Sequence, residues 1–501
     1  MANRKRFATD ETLQDVVAQL KRIASANEAM AQKQNADGDG GFISAAPIEY
    51  GIRWTIGASG SAGERVTRQN GLISLWDIAY TRNTSEGIAD NPFEKISLFN
   101  PTLYEDQAGN QFRRFQRFYF GRQYIGLYEY WWVCSKPVYD FYRLPRAFYR
   151  NGSPYWNYVD IGVYEASNEL VDGVNYLASK SGVQPLVSVS RTAFNTRAKA
   201  LMTRFSLDSE KETYHLQTMS ELTEILQPLS VIMLGSKHSQ NTDNGYLGVT
   251  SMDLTSRTAT ISVPSECLIY LDASIDVESK FPVGFPVSIG GSATWRTVVR
   301  TQNDTGDLGY SVVEFDGEPI ETVAGTTTIQ LRPRFTGETD SISALSGATV
   351  NDGKHSFKLF GIENIFGNTW KHILDVTMGG DRYAYVCENL DEWADINPVG
   401  DARFTKCGYQ VCEYNGYASE IIPDTLHNDV ALTVKAKGSS TTHYADYYYW
   451  VNASMEGKPR TVLYGGALAN GAVAGLFAWA LSVGLGVADW CYGGRLSHKA
   501  L

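Results

Sequence analysis

The chain has 501 residues, a formal charge of −11 and 12% aromatic residues, among them 29 Tyr and 11 Trp, with a sequence pI near 5.3. That length supports two or three domains and a sizeable core. The acidic balance argues against nucleic acid or an anionic membrane as the main partner, since both attract basic surfaces. Six cysteines without a repeated spacing, Cys134, Cys267, Cys387, Cys407, Cys412 and Cys491, fit neither a disulfide scaffold nor a zinc module.

The basic start, Met1 to Arg6, runs into polar sequence and is not read as a secretory signal. Thr9 is a candidate N-cap followed by Asp10 and Glu11, where a helix N-terminus favours negative charge. Leu13, Val16, Leu20, Ile23, Asn27 and Met30 then recur at alternating spacings of three and four, the a/d seam of a short coiled coil with one polar Asn that can set register and oligomer number. One amphipathic helix docked on its own domain fits the same spacing. Lys33 to Gly41 is a flexible connector, and the globular part starts at Phe42.

From Ile52 to Leu98, turn residues punctuate short apolar runs, as expected for strands and long surface loops. An aromatic-dense tract follows, with Phe118-Tyr119-Phe120, Tyr130-Trp131-Trp132, Tyr155-Trp156 and Tyr164 among β-favouring neighbours. A packed sheet core and a sugar-stacking surface both use such residues; the core reading is preferred. Two helices are predicted over 191–205 and 219–233, the second with a kink at Gln227-Pro228. Helices on a sheet predict an α+β domain. Between Tyr246 and Ser346 the composition shifts to Thr, Val, Ser, Gly and Asp in alternating runs, which predicts an inserted small all-β module. The expected organisation is an attachment segment over 1–41, a domain in two parts over 42–245 and 347–501, and the module over 246–346 between them.

Near the C-terminus, Tyr444, Tyr447, Tyr449 and Trp450 form an aromatic-rich segment and are the candidate contact residues for a ligand. In a strand, Tyr447 and Tyr449 share one face and Tyr448 and Trp450 the other, so at least half of the cluster belongs to the core. Residues Thr461 to Ala488 carry no charge and are long enough to cross a bilayer. Their glycines and Asn470 favour buried strands with tight turns, and no membrane insertion is expected.

The segment Gly361-Ile362-Glu363-Asn364-Ile365-Phe366-Gly367-Asn368-Thr369-Trp370-Lys371-His372-Ile373 sets glycines and asparagines among large apolar residues, the composition of a tight turn buried against a core. Together with Tyr464-Gly465-Gly466-Ala467 and Gly493-Gly494-Arg495-Leu496 it resembles the signature of formylglycine-generating-enzyme-like, C-type-lectin-like domains. More closely, it is similar to the version in tailed-phage fibre and minor structural proteins. Trp131 to Pro137, Pro145 to Gly152, Tyr158 to Ser167, Ser188 to Thr192 and Ala472 to Trp479 extend the resemblance over about Glu49 to Leu496. On it, Gly361, Asn364, Gly367, Asn368, Trp370, Gly494 and Arg495 are the fold-signature residues.

The resemblance implies a virion protein displayed on the particle exterior, a homotrimer held to other tail or capsid proteins through residues 1–41, that contacts a bacterial surface glycan or protein. A head fibre or decoration protein is the alternative, and a surface-glycan depolymerase a more remote one. The enzymatic branch of the family uses a pair of cysteines for copper-dependent oxidation. Here the corresponding region offers only Cys491, and one thiol cannot make a two-thiolate site. No Walker loop, G-x-S-x-G elbow, H-E-x-x-H motif or paired carboxylate stands out, so no catalytic residue, metal or cofactor is predicted. Asn241 to Gly245 and Asn351-Asp352-Gly353 have calcium-ligand residue types, yet are also ordinary turns.

Overall fold

Short strands dominate because turn residues interrupt the β-favouring ones every few positions. The computed structural model describes residues 46–76, 92–240, 245–252, 258–261, 268–306, 308–425, 427 and 429–501. Strands make up 36% of the structure and helical residues 12%. Among the described residues there are nine sheets of two to six strands and three α-helices. The expected α+β, C-type-lectin-like fold is therefore corrected to a mostly β architecture. Strands of two to four residues between turns show no period in the sequence, whereas a helix does, so periodicity overweights the helices. The proposed coiled-coil seam, Leu13, Val16, Leu20, Ile23, Asn27 and Met30, lies outside the described residues.

The helix Arg191–Arg204 starts where Ser190 Oγ accepts from the Ala193 amide at 3.3 Å. It packs on the strands Val174–Ala178 and Glu212–Leu216. The second helical run is buried on every side, which leaves no polar face to define a stripe. Its first part, Glu221–Leu226, is π-helical and leads into the α-helix Gln227–Leu234. Pro228 supplies no N–H to the turn before it, and the widened turn absorbs that deficit where a kink was expected. Gly235, with φ of 70°, ends the helix. The third helix, Val277–Lys280, is a single turn.

Three larger sheets surround the main core. In the first, Glu49–Thr55 lies between Glu64–Gln69 and Tyr128–Cys134, with Leu72–Leu75 and Tyr119–Ile125 at the edges. The second inserts the C-terminal strand Leu496–Ala500 between Glu212–Leu216 and Tyr158–Gly162. The third runs in the order Gly416–Tyr417, Tyr447–Tyr449, Gly475–Ala480, Leu463–Gly465, Trp370–His372 and Tyr492–Gly493. Much of the uncharged stretch 461–488 is thus sheet interior, and among the described residues no helix is long and apolar enough to cross a membrane. A separate six-stranded sheet uses only residues 258–331 and closes on its own cluster of Leu271, Phe281, Val287 and Ile329, to which Val249 and Leu468 also belong.

The segment 361–373 is buried throughout. Gly361, Asn364, Gly367 and Asn368 all have positive φ, at 72°, 47°, 76° and 58°. Asparagine tolerates this region because its short amide bonds locally; Asn368 Oδ1 accepts from the Arg334 amide at 2.8 Å and its Nδ2 donates to Glu165. The Arg495 guanidinium reaches in from the C-terminal strand. It donates to the carbonyls of Gly162, Val163, Glu363 and Asn364 at 2.8, 3.1, 2.6 and 2.9 Å. Lys371 donates to the carbonyls of Gly367 and Thr369 at 2.9 and 3.0 Å and pairs with Glu165 at 3.0 Å. A Cβ on Gly494 would come 2.7 Å from a Leu216 methyl group, so a larger residue there would have to displace that side chain. Trp370 is buried beside Tyr449, ring centroids 5.9 Å apart.

Candidate functional site

The tyrosine-rich segment divides as strand alternation requires. Tyr448 is fully buried and donates to the Cys412 carbonyl at 2.8 Å. Tyr447 and Tyr449 are half-buried on the opposite face, their rings 4.6 Å apart, with Tyr417 5.0 Å from Tyr447. Trp450 is buried under the Arg460 guanidinium, 3.8 Å from the ring centre. Tyr444 belongs to neither face. His443 and Ala445 on either side of it have φ of 57° and 59°, which for residues with a Cβ marks a conformation that the surroundings must hold. The hold comes from His443 N donating to Ser59 O at 2.7 Å and Ala445 N to Thr442 O at 3.0 Å. The corner turns the Tyr444 ring into the wall of an open groove of about 690 Å³.

The opposite wall comes from the first sheet. Trp54 lies near the end of the strand Glu49–Thr55, Ile56 just beyond it, and Tyr124 stands beside the two-residue Gly126-Leu127 turn of a hairpin, where Gly126 has φ of 57°. Ile56 and Tyr124 are each 48% exposed, so the groove has an apolar, aromatic lip. At its base Lys237 Nζ sits 4.1 Å from the Trp54 ring centre and 5.2 Å from that of Tyr444 while donating to Glu129 at 3.1 Å. Glu129 also accepts from Trp131 Nε1 at 2.8 Å. Burial works to raise the Glu129 carboxyl, but Lys237 and Arg122 outweigh it and hold the group below its ordinary value. Burial, together with Lys237 and Lys435, lowers His443, which leaves it neutral at pH 7. The floor and far rim are the strand Glu420–Pro423 with Lys435 and Lys437.

A second concavity is lined by the buried carboxyls Asp375 and Asp429, with Glu224 bonded to its lining residues Arg146 and Ser220. Glu224 accepts from the Arg146 amide at 2.6 Å and from Ser220 Oγ at 2.7 Å, and burial raises it to about 8. Burial likewise raises Asp429 to about 7 and Asp375 to about 6. Such carboxyls can hold protons near neutrality. The cavity measures only about 80 Å³, however, well below the roughly 300 Å³ at which small-molecule pockets begin. The groove has room for a ligand, as do a concavity of about 750 Å³ beside Trp295 and one of about 550 Å³ beside Tyr149; the groove is the one that a candidate contact residue, Tyr444, lines.

No family model matches this chain, and no curated protein does. What it does has to be read from its own geometry. Among the described residues, no group of three or more His, Cys, Asp and Glu side chains is placed to hold a metal ion. Asp352 accepts from the Lys354 amide at 2.8 Å, which is turn chemistry, and Asn351 accepts from the distant Leu247 amide at 2.9 Å; residues 241–244 lie outside the described residues. Of the four candidate contact residues, Tyr444 lines the groove, Tyr447 and Tyr449 share a separate half-exposed face, and Trp450 is interior. Sequence reasoning missed Trp54, Ile56, Arg122, Tyr124, Lys237, Lys435 and Lys437. Only Tyr124 left a usable signal, an aromatic beside a Gly-Leu hairpin turn.

Proposed function

We propose that this chain is a non-catalytic virion protein of a tailed phage that binds the bacterial surface, with the groove around Tyr444 as its receptor site. The observation that carries the proposal is the groove itself: aromatic and charged side chains around an open space of ligand size, set on a sheet framework. Aromatic walls suit the apolar faces of sugars, and the charged rim suits hydroxyls and ionised groups. The motif resemblance to phage fibre and minor structural proteins supplies the setting, on the particle exterior. In this reading residues 1–41 tether a homotrimer to other virion proteins.

The alternative is a decoration protein bound mainly to capsid or tail neighbours. The half-exposed Tyr417, Tyr447 and Tyr449 face favours it, since tyrosine-rich faces suit protein interfaces. The two readings separate in one experiment. The labelled full chain is applied to a panel of Gram-positive and Gram-negative cells, with Tyr124→Ala as control. Retention on particular strains, weakened about tenfold or more by the substitution, supports the host-binding reading. Retention on none of the strains on which the phage plates, with normal adsorption in the presence of excess protein, refutes it.

A further inference from the structure

The net charge of −11 conceals a local reversal. Four cationic side chains line the groove, Arg122, Lys237, Lys435 and Lys437, against two carboxylates, Glu129 and Glu420. Lys237 and Glu129 neutralise one another at the base. That leaves Lys435 and Lys437 facing one acid, Glu420, while Arg122 lies close enough to Glu129 to help hold its charge. Lys435 and Lys437 are exposed and flank the buried Ala436, so they project to the same side. Neither makes an ion pair with any described residue, although Glu420 is the cross-strand partner of Lys435. Arg122 lies 4.1 Å over the Trp131 ring, and its buried Nε has no hydrogen-bond partner among the described residues. Cations left unpaired in an acidic protein, beside aromatic rings, form a site for an anion attached to something flat and apolar.

We infer that the groove binds an anionic sugar polymer, one that carries carboxylate or phosphate groups along its chain, an inference that rests on the host-binding reading above. Lys435 and Lys437 meet the charges at the rim, Arg122 takes one deeper, and the exposed Tyr124 and Ile56 contact the sugar faces, backed by the buried Trp54 and Tyr444. The acidic remainder of the surface selects against denser polyanions. Duplex DNA carries one charge per about 1.7 Å of axis and would meet repulsion beyond the groove, whereas a glycan charged once per sugar or per repeat spans it at lower cost.

The test uses the full chain in equilibrium binding to four probes: polygalacturonate, poly(glycerol phosphate), uncharged dextran and a duplex DNA fragment. The expected result is salt-sensitive binding to one or both charged sugar polymers, none to dextran or DNA, and a loss of about tenfold or more in Lys435→Gln/Lys437→Gln. Both lysines are exposed, so the variant keeps the wild-type melting temperature. The two polymers decide between carboxylate and phosphate. Equal binding of dextran or DNA, or unchanged binding in the double variant, overturns the inference. If the chain adheres to cells but neither polyanion displaces it, this inference fails and host binding stands. If it adheres to no cells yet binds a polyanion through these lysines, the reverse holds.

Discussion

The turn at 361–373 and the groove at Tyr444 are assembled from the same materials, aromatic rings with basic, acidic and amide groups, and use them in opposite ways. Around the turn, Arg495, Lys371, Glu165 and Glu363 are all shut away from water. Charges in that position are tolerable only when bonded, and the Arg495 and Lys371 side chains between them satisfy six backbone carbonyls. Around the groove, Lys435, Lys437 and Tyr124 remain in water and need no protein partner. The difference teaches that buried charge here holds the fold together, while charge left exposed and unpaired is what a ligand can use.

Breaking the turn should have the largest effect. Arg495→Met removes the guanidinium from four buried carbonyls, of which Val163 keeps the Glu363 amide, at about 1–3 kcal/mol for each one left unsatisfied. Even with relaxation we expect a loss of at least about 3 kcal/mol in urea unfolding, or no soluble protein. Wild-type stability in that variant would mean that the guanidinium is dispensable to the turn. Gly367→Val is next. The backbone there has φ of +76° and a Cβ would meet the Val249 carbonyl oxygen at 3.0 Å, so strain of about 1–3 kcal/mol should appear as a lower denaturant midpoint.

The interior carboxyls sharpen the comparison through pH. Glu224, Asp429 and Glu363 are raised to about 8, 7 and 7 by burial, from unfolded values near 4. A raised carboxyl means that the folded state holds the extra proton, so its contribution is full at low pH and is lost as pH rises through the folded value. His372, pushed down to about 3 by burial, acts oppositely: the unfolded state takes the proton, and stability falls as pH drops below about 6.5. Three carboxyls outweigh one histidine, so the melting temperature should decline from about pH 5 toward about pH 8, and Asp429→Asn should flatten that decline. A decline of unchanged steepness in that variant would remove Asp429 from the account.

The smallest stability effect should come from the groove. Lys435→Gln/Lys437→Gln touches only solvated side chains and should shift unfolding by less than about 0.5 kcal/mol. A larger shift would place these lysines in the framework and dissolve the contrast.

Much of the turn could be read from the sequence, because its demands are local. Glycine and asparagine are the residues that adopt positive φ, and four of them do so at 361, 364, 367 and 368. The helix at 191–204 was legible as well, and the structure adds its Ser190 cap. The fold class was not. Strands of two or three residues, such as Ile362–Glu363 and Trp370–His372, draw their bonds from partners far along the chain and leave no periodic trace. The helical run 219–234 was legible as a helix, but only the sheets around it decided that its polar residues would be buried as well.

The groove lay further still from what sequence could tell. Its walls come from residues near 54, 124, 237, 421, 435 and 444, and its charge is a sum over groups that meet only in space. The chain by itself determined that it would be acidic, aromatic, rich in short strands and turned tightly at 361–373, since composition and backbone preference act within a few residues. Tertiary structure decided which tyrosines face water, which carboxyls keep their protons and where an acidic protein becomes locally basic, because burial and electrostatic interaction depend on distance in space.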